Sequence, residues 1–154
     1  MTQDPRPEAE SPSLQPPVSC GYVRADGSCC PGEIEGDSDL CYWHDPDASK
    51  EVDDVRSRLE TWAATGESME GFILRYAPLQ GVKLNNQHRR VLRRANLFKA
   101  DLAGASLWNV DLRGADLLKT NLAGANLNDV KLQDADLLGA VLDGTKLERV
   151  EWGE

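Results

Sequence analysis

Four cysteines and a histidine fall within one short stretch: Cys20, Cys29, Cys30 and Cys41, with His44 three residues after Cys41. Thiolate sulfur and imidazole nitrogen are the donors that structural zinc collects, four at a time, into a tetrahedron. In a reducing compartment such a cluster holds metal more often than it forms disulfides. A segment this short cannot fold on an apolar core of its own, so bound metal would supply the folding free energy. Four protein ligands leave no open coordination position, which makes the metal structural and not catalytic. Unpaired thiols, or two disulfides in an exported protein, are the alternatives. Other chemistry has no motif to rest on: the chain contains no nucleophile elbow, phosphate loop or His-Glu metal helix. His88 lies in a polar stretch and reads as a solvent-facing loop residue, so the chain is expected not to be an enzyme.

The elements that must position this cluster follow from a different pattern. From Leu97 to Leu147 a leucine falls on every fifth residue, eleven times without a miss. A step of five turns about 140° off register on an α-helix, and odd spacing in a flat strand sends successive side chains to opposite faces. Two residues before each leucine stands a small one, as at Ala95, Ala100, Ala105, Val110, Ala115 and Thr120. Residues two apart in an extended chain face the same side, so both point inward if the chain turns before the next pair. The two positions after leucine hold turn formers such as Asn109, Gly104, Gly124 and Gly144. The result is a flat-sided coil around a leucine core. The stretch Ala95 to Gly114 matches the segment twenty residues on at ten positions and the segment ten residues on at nine. Periodicity alone does not choose between them, but Phe98, Leu118 and Leu138 share a column at twenty, as do Gly104, Gly124 and Gly144.

These units resemble the pentapeptide-repeat family, whose pattern is Ala-(Asp/Asn)-Leu-X-X. The resemblance implies an all-β solenoid, a right-handed quadrilateral β-helix with four pentapeptides per turn. The Cys/His segment in turn resembles a small bacterial zinc-knuckle pattern, Cys-x9-Cys, a variable gap, then Cys-x2-His, with glycine three before the second cysteine. That register, with Gly27, implies Cys20, Cys30, Cys41 and His44 as zinc ligands. The extra Cys29 leaves the second ligand open between neighbours.

Backward from Leu97 the period continues through Leu74, Leu79 and Leu84, with Leu92 eight residues on. Three residues are inserted there, and the polar, basic run 85–90 must leave the wall as a loop. Sixteen core positions from Leu74 to Trp152 make four coils, a rod about 19 Å long at strand spacing. A solenoid's first coil needs a cap. Residues 49–66 supply one as a helix, with Ser49 at its N-cap, Glu51, Asp53 and Asp54 in its first turn, Gly66 at its end, and Val52, Val55, Leu59 and Trp62 on one face. The predicted organisation is a disordered acidic, proline-rich tail at 1–18, a zinc segment at 19–46, the capping helix at 49–66 and the β-helix at 67–154. No run is apolar and long enough for a signal peptide or membrane span, so a cytoplasmic protein is expected.

Charge divides unevenly along the chain. Residues 1–60 carry 14 acidic and 5 basic side chains, 61–90 carry 2 and 4, and 91–154 carry 10 and 8, for a total of −9. The repeat wall is therefore nearly neutral. This bears on function, because the family resemblance brings in inhibitors or protectors of type II topoisomerases such as DNA gyrase, which imitate a DNA rod. A rod of about 19 Å matches only about six base pairs, and Asp101, Asp111, Asp116 and Asp136 occupy the position where the repeat itself favours Asp or Asn. Direct nucleic-acid binding is weaker still, since the one basic cluster, Arg89-Arg90 to Arg93-Arg94, has no interleaved aromatics. The remaining signal is an outward apolar column of Phe98, Leu118 and Leu138, with Trp108 on another side and Trp152 at the last core position. Large apolar side chains facing water mark an interface, unless the capping helix or zinc segment folds over them. The reading is a small scaffold for an unknown protein partner, with a homodimer through Trp152 or the column. DNA-mimic regulation of a topoisomerase is the alternative.

Overall fold

The computed structural model describes residues 19–34, 38–51, 53–84 and 92–153. The expected tail at 1–18, the inserted loop at 85–90 and Val52 lie outside them.

Backbone pairing settles the number of sides. Parallel bridges join Asn96 to Asp116 and Asp116 to Asp136, Asp101 to Asn121, Ser106 to Asn126, and Asp111 to Lys131 and Lys131 to Glu151, each pair twenty residues apart. One coil is therefore four pentapeptides. In the first coil the partners of Ile73, Pro78 and Lys83 are Asn96, Asp101 and Ser106, twenty-three residues away, as the three inserted residues require. The inward leucines of the five-residue pattern from Leu74 to Leu132 are buried, as are the small residues two before them from Ala95 to Val130. Thr120 fits the small-residue slot because its hydroxyl donates to the Leu97 carbonyl at 2.7 Å.

The corners after Leu92 through Leu142 each close with a hydrogen bond from the next small residue to the leucine carbonyl, as from Ala100 N–H to Leu97 O at 2.9 Å. The second corner residue takes positive φ, as in type II turns. Gly104 and Gly124 sit there without a steric cost, whereas Lys99 (φ 54°) and Asn109 (φ 60°) accept the left-handed conformation. The position before leucine also has a defined task. Its Oδ1 accepts the N–H two residues on, from Asn96 to Phe98, Asp101 to Ala103, Asp116 to Leu118 and Asn121 to Ala123. Both Asp and Asn make this bond, since it uses only the oxygen, and the Asn121 amide also donates to Asp101 Oδ1 at 3.0 Å.

Helix α1 spans Val55–Thr65 and ends at Gly66 in the left-handed conformation, as predicted. It starts later than the sequence suggests. Asp54, not Ser49, is the N-cap, and no acidic side chain occupies the first turn. The preceding residues are held elsewhere: the Ser49 hydroxyl accepts the Glu51 N–H, and Lys50 is buried with Nζ donating to the Asp45 and Ala48 carbonyls. Burial lowers the Lys50 pKa to about 8. Val55, Leu59 and Ala63, four apart, form the buried stripe of α1.

The two ends of the leucine core differ. At the first coil Phe72 stacks on Trp43 at 5.0 Å between ring centroids, and Trp62 of α1 meets Phe72 edge-on at 5.5 Å. The Trp43 carbonyl accepts the Ile73 N–H at 2.7 Å, adding a backbone bond to the coil edge. At the last coil Leu147 is 37% and Trp152 52% exposed.

An Asp at Leu117 would place a carboxylate in a dry core with no partner, so Leu117→Asp is expected to abolish cooperative folding, losing more than the roughly 2–5 kcal/mol of a leucine truncation. Asp116→Asn keeps the Oδ1 acceptor and is expected to stay within about 0.5 kcal/mol of wild type. Equal melting temperatures for the two variants would contradict this inward and outward assignment.

Candidate metal centre

The segment ahead of α1 is built from short antiparallel contacts. Ser19 bridges to Glu33, Val23 to Cys29 and Ile34 to Cys41. The turn between Val23 and Cys29 uses Gly27 at φ 83°, while the Asp26 carboxylate accepts the Ser28 N–H at 2.8 Å. A second turn, closed by the His44 N–H on the Cys41 carbonyl, sets His44 beside Cys41.

These turns bring Cys20, Cys30, Cys41 and His44 together, all four buried, with their donor atoms within 4.8 Å of one another. A tetrahedron with metal–sulfur bonds of about 2.3 Å and a metal–nitrogen bond of about 2.0 Å has edges of about 3.8 Å between sulfurs and about 3.5 Å between sulfur and nitrogen. The Cys30 and Cys41 sulfurs are 3.8 Å apart, and the His44 Nδ1 lies 3.3 Å from Cys41 Sγ and 3.6 Å from Cys20 Sγ. The group is thus a buried Cys3His set in which these three edges suit a tetrahedral ion. Cys29 is exposed and stands apart from it, because neighbours in an extended chain face opposite ways.

Surrounding groups fix the donors. His44 Nε2 is 2.8 Å from the Glu70 carbonyl. A proton on Nε2 donated there leaves the Nδ1 lone pair facing the thiols, the arrangement that metal-bound imidazoles use. Tyr22 stacks on the same ring at 3.9 Å, and Phe72 meets it edge-on. Between the thiols, the hydrogen bond to Cys41 lowers the Cys30 pKa, while the same bond and burial push Cys41 up to about 11. A bound cation would displace the thiol protons.

Sequence reasoning missed two contributors. The Gly32 N–H donates to Cys30 Sγ at 3.3 Å, and a Cβ on Gly32 would lie 2.8 Å from both Cys41 Cβ and Sγ. Glycine two residues after Cys30 was the visible signal. Glu70 offered none: its carbonyl takes His44 and its carboxylate accepts the Ala25 N–H at 2.9 Å, tying the segment to the start of the solenoid.

The structure places the outward candidates separately. Phe98, Leu118 and Leu138 stack at one corner of successive coils, where Lys99 N–H bonds to Leu118 O and Lys119 N–H to Leu138 O. Phe98 packs edge-on against Tyr76 at 5.6 Å, and Leu138 is 74% exposed. Trp108 occupies a different corner, its indole N–H donating to Asp129 at 2.8 Å, and Trp152 is exposed on the last coil.

Comparison with known proteins agrees with this architecture. The sequence profile of pentapeptide repeats matches in eight copies over residues 91–129 and 120–151. A solved pentapeptide repeat protein from Nostoc Pcc 7120 is 32% identical over 65% of this chain and 85% of its own, with a TM-score of 0.56. Two others are a pentapeptide repeat protein from the cyanobacterium Cyanothece 51142 (28% identity, 55% of this chain, 63% of that one, TM-score 0.30) and one from the Arabidopsis thaliana thylakoid lumen (31%, 55%, 57%, TM-score 0.28). No curated protein matches the sequence. The chain belongs to the pentapeptide repeat family, and it carries the Cys3His group ahead of the profile-matched residues.

Because Gly32 has no room for a side chain between the thiols, Gly32→Ala is expected to weaken metal binding at least tenfold in a chelator competition. Unchanged affinity would show that the thiols do not need this close backbone.

Proposed function

We propose that the protein is a non-enzymatic scaffold for protein–protein contact, a four-coil solenoid whose N-terminal lid is clipped by one structural zinc ion. The observation that carries the scaffold reading is the apolar column. The lid covers the end of the tube through Trp43 and Trp62, while Leu118 is half-buried and Leu138 faces water. The leucine core fills the tube, so the outer wall is what the solenoid presents to other molecules. Zinc fits the donor set, since three thiolates and one imidazole suit it and leave no position open for substrate. Residence in the cytoplasm goes with this reading, because reduced thiols persist there. Among the described residues, no helix is long and apolar enough to cross a membrane.

The charge of the wall argues against the second reading, DNA mimicry toward a topoisomerase. On one side Asp111 lies between Arg93 (2.8 Å) and Arg113 (2.7 Å), Asp129 pairs with Arg149 (2.6 Å), and Lys131 pairs with Glu151 (3.3 Å). Alternating signs cancel where a mimic needs rows of negative charge. The aspartates before leucine are occupied by corner hydrogen bonds. In a gyrase supercoiling assay the added protein is expected to be inert. A direct test of the scaffold reading compares partners captured from native cells by wild type and by Phe98→Glu/Leu118→Glu at equal stability. Loss of a reproducible partner supports it, and an unchanged set contradicts it.

Two further outcomes follow. Purified protein is expected to contain about one zinc per chain, released by Cys20→Ser, Cys41→Ser or His44→Ala but retained by Cys29→Ser. Absence of zinc together with two disulfides in mass spectrometry would overturn both the site and the compartment. The exposed Leu147 and Trp152 of the last coil, or the column, are also proposed to pair two copies, because large apolar side chains in water mark an interface. Sedimentation is expected to show a dimer at micromolar concentration that Trp152→Glu or Leu118→Glu converts to folded monomer, and a strictly monomeric wild type would refute the pairing.

A further inference from the structure

Three rows of side chains run side by side along one corner of the solenoid. The middle row is Phe98, Leu118 and Leu138, half-buried at Phe98 and Leu118 and exposed at Leu138. The row one residue later is Tyr76, Lys99 and Lys119, and the row two residues earlier is Asn96, Asp116 and Asp136. The apolar row is therefore bordered by cations on one flank and carboxylates on the other. Elsewhere on the wall opposite charges meet directly, as at Arg113 with Asp111 and Arg149 with Asp129. Here they do not: Lys99 and Lys119 are exposed and have no acidic partner among the described residues. Lys99 lies 5.3 Å over the Phe98 ring, and Asp101, beyond the cation row, is held by the Gln80 and Asn121 amides. On the other flank Asp116 and Asp136 accept the N–H of their own corners at 3.1 and 2.9 Å and meet no cation among the described residues.

We propose that this corner receives an amphipathic α-helix of another protein, laid along the rod, whose apolar stripe is bordered by acidic residues on one edge and basic residues on the other. The inference rests on reading the column as the protein's contact surface, and it names the chemistry of what the column contacts. Charge complementarity gives the edges: acids over Lys99 and Lys119, bases over Asp116 and Asp136. Turning the helix end for end exchanges its edges, so the unlike flanks admit one direction only.

Spacing gives the helix. Coils stack at about 4.8 Å, so Phe98 to Leu138 spans about 10 Å. Helix residues i, i+4 and i+7 share one face and span about 10.5 Å, which sets one side chain beside each coil. The facing side chains of an extended strand laid the same way recur at about 6.7 Å and lose register before Leu138. A strand laid across the rod meets the row only once. Tyr76, 40% exposed on the first coil, and Val141, 42% exposed on the last, widen the apolar surface at both ends of the row.

Three synthetic peptides of about 20 residues, long enough to be helical by themselves, test this. They share one leucine stripe and differ at its edges: glutamate on one and lysine on the other, lysine on both, or glutamate on both. Fluorescence anisotropy with the full chain is expected to show saturable binding of the mixed peptide. The other two are expected to bind about tenfold more weakly, the worth of two or three exposed ion pairs. Leu118→Glu is expected to abolish binding of the mixed peptide. Lys99→Glu/Lys119→Glu, at exposed positions, makes both flanks acidic and is expected to move the preference to the all-lysine peptide. No saturable binding by wild type, or a preference that charge reversal leaves unchanged, would overturn the proposal. Failure of the scaffold reading is a different result, an unchanged set of captured partners for Phe98→Glu/Leu118→Glu.

Discussion

A stack of coils built around leucine has two ends, and each end exposes both an apolar layer and a row of unpaired backbone groups. Neither can be left in water without cost, so the repeat that makes the wall stable also creates the demand that the rest of the chain answers. At the N-terminal end the answer is aromatic. Phe72 opens the first coil, Trp43 lies flat on it, and Trp62 brings α1 against both. The lid is too small to hold its own shape by burial. Two donors of its Cys3His group, Cys41 and His44, flank Trp43 in sequence, and the group touches the coil through the His44 contact with the Glu70 carbonyl, so whatever closes that group also seats the lid.

The two ends explain how charge and exposure are distributed. Side chains on the wall serve the turns first: the Asp and Asn oxygens close corners, and the arginines pair with acids one coil away. What is left over is apolar, namely the column ending at Leu138 and the exposed Trp152. Both lie on the last coil, away from the Cys3His segment beside the first. A protein that spends its polar residues on local hydrogen bonds retains apolar surface for contact with another chain, and this is the physical basis of the scaffold reading.

The solenoid was legible because its cause is local. Every leucine, every small residue and every corner obeys the same five-residue rule, so the fold could be read from Leu97 to Leu147 without long-range information. The number of sides was legible only through the outward columns, since the inward pattern repeats almost as well at ten residues as at twenty. The cluster of Cys20, Cys30, Cys41 and His44 was visible as donor types, but choosing Cys30 over Cys29 needed the register borrowed from a resemblance. The structure gives the physical reason in the alternation of neighbours. The start of α1 was misplaced because Ser49 looks like a cap, while the burial of Lys50 depends on Asp45 and Ala48, a tertiary detail that propensity does not carry. Glu70 was hidden for the same reason, since it acts through its backbone carbonyl, whereas Gly32 was visible as a glycine near Cys30 but not as the missing volume it supplies.

The central claim is that the metal group holds the aromatic lid on the first coil. Hydrogen exchange with and without a zinc chelator tests it residue by residue. Chelation is expected to speed exchange at His44, in α1 and at Ile73, whose N–H bonds to Trp43, while amides of the later coils such as Leu117, Leu122 and Leu127 stay protected. Protection unchanged at Ile73 and α1, or lost evenly along the whole solenoid, would contradict the account.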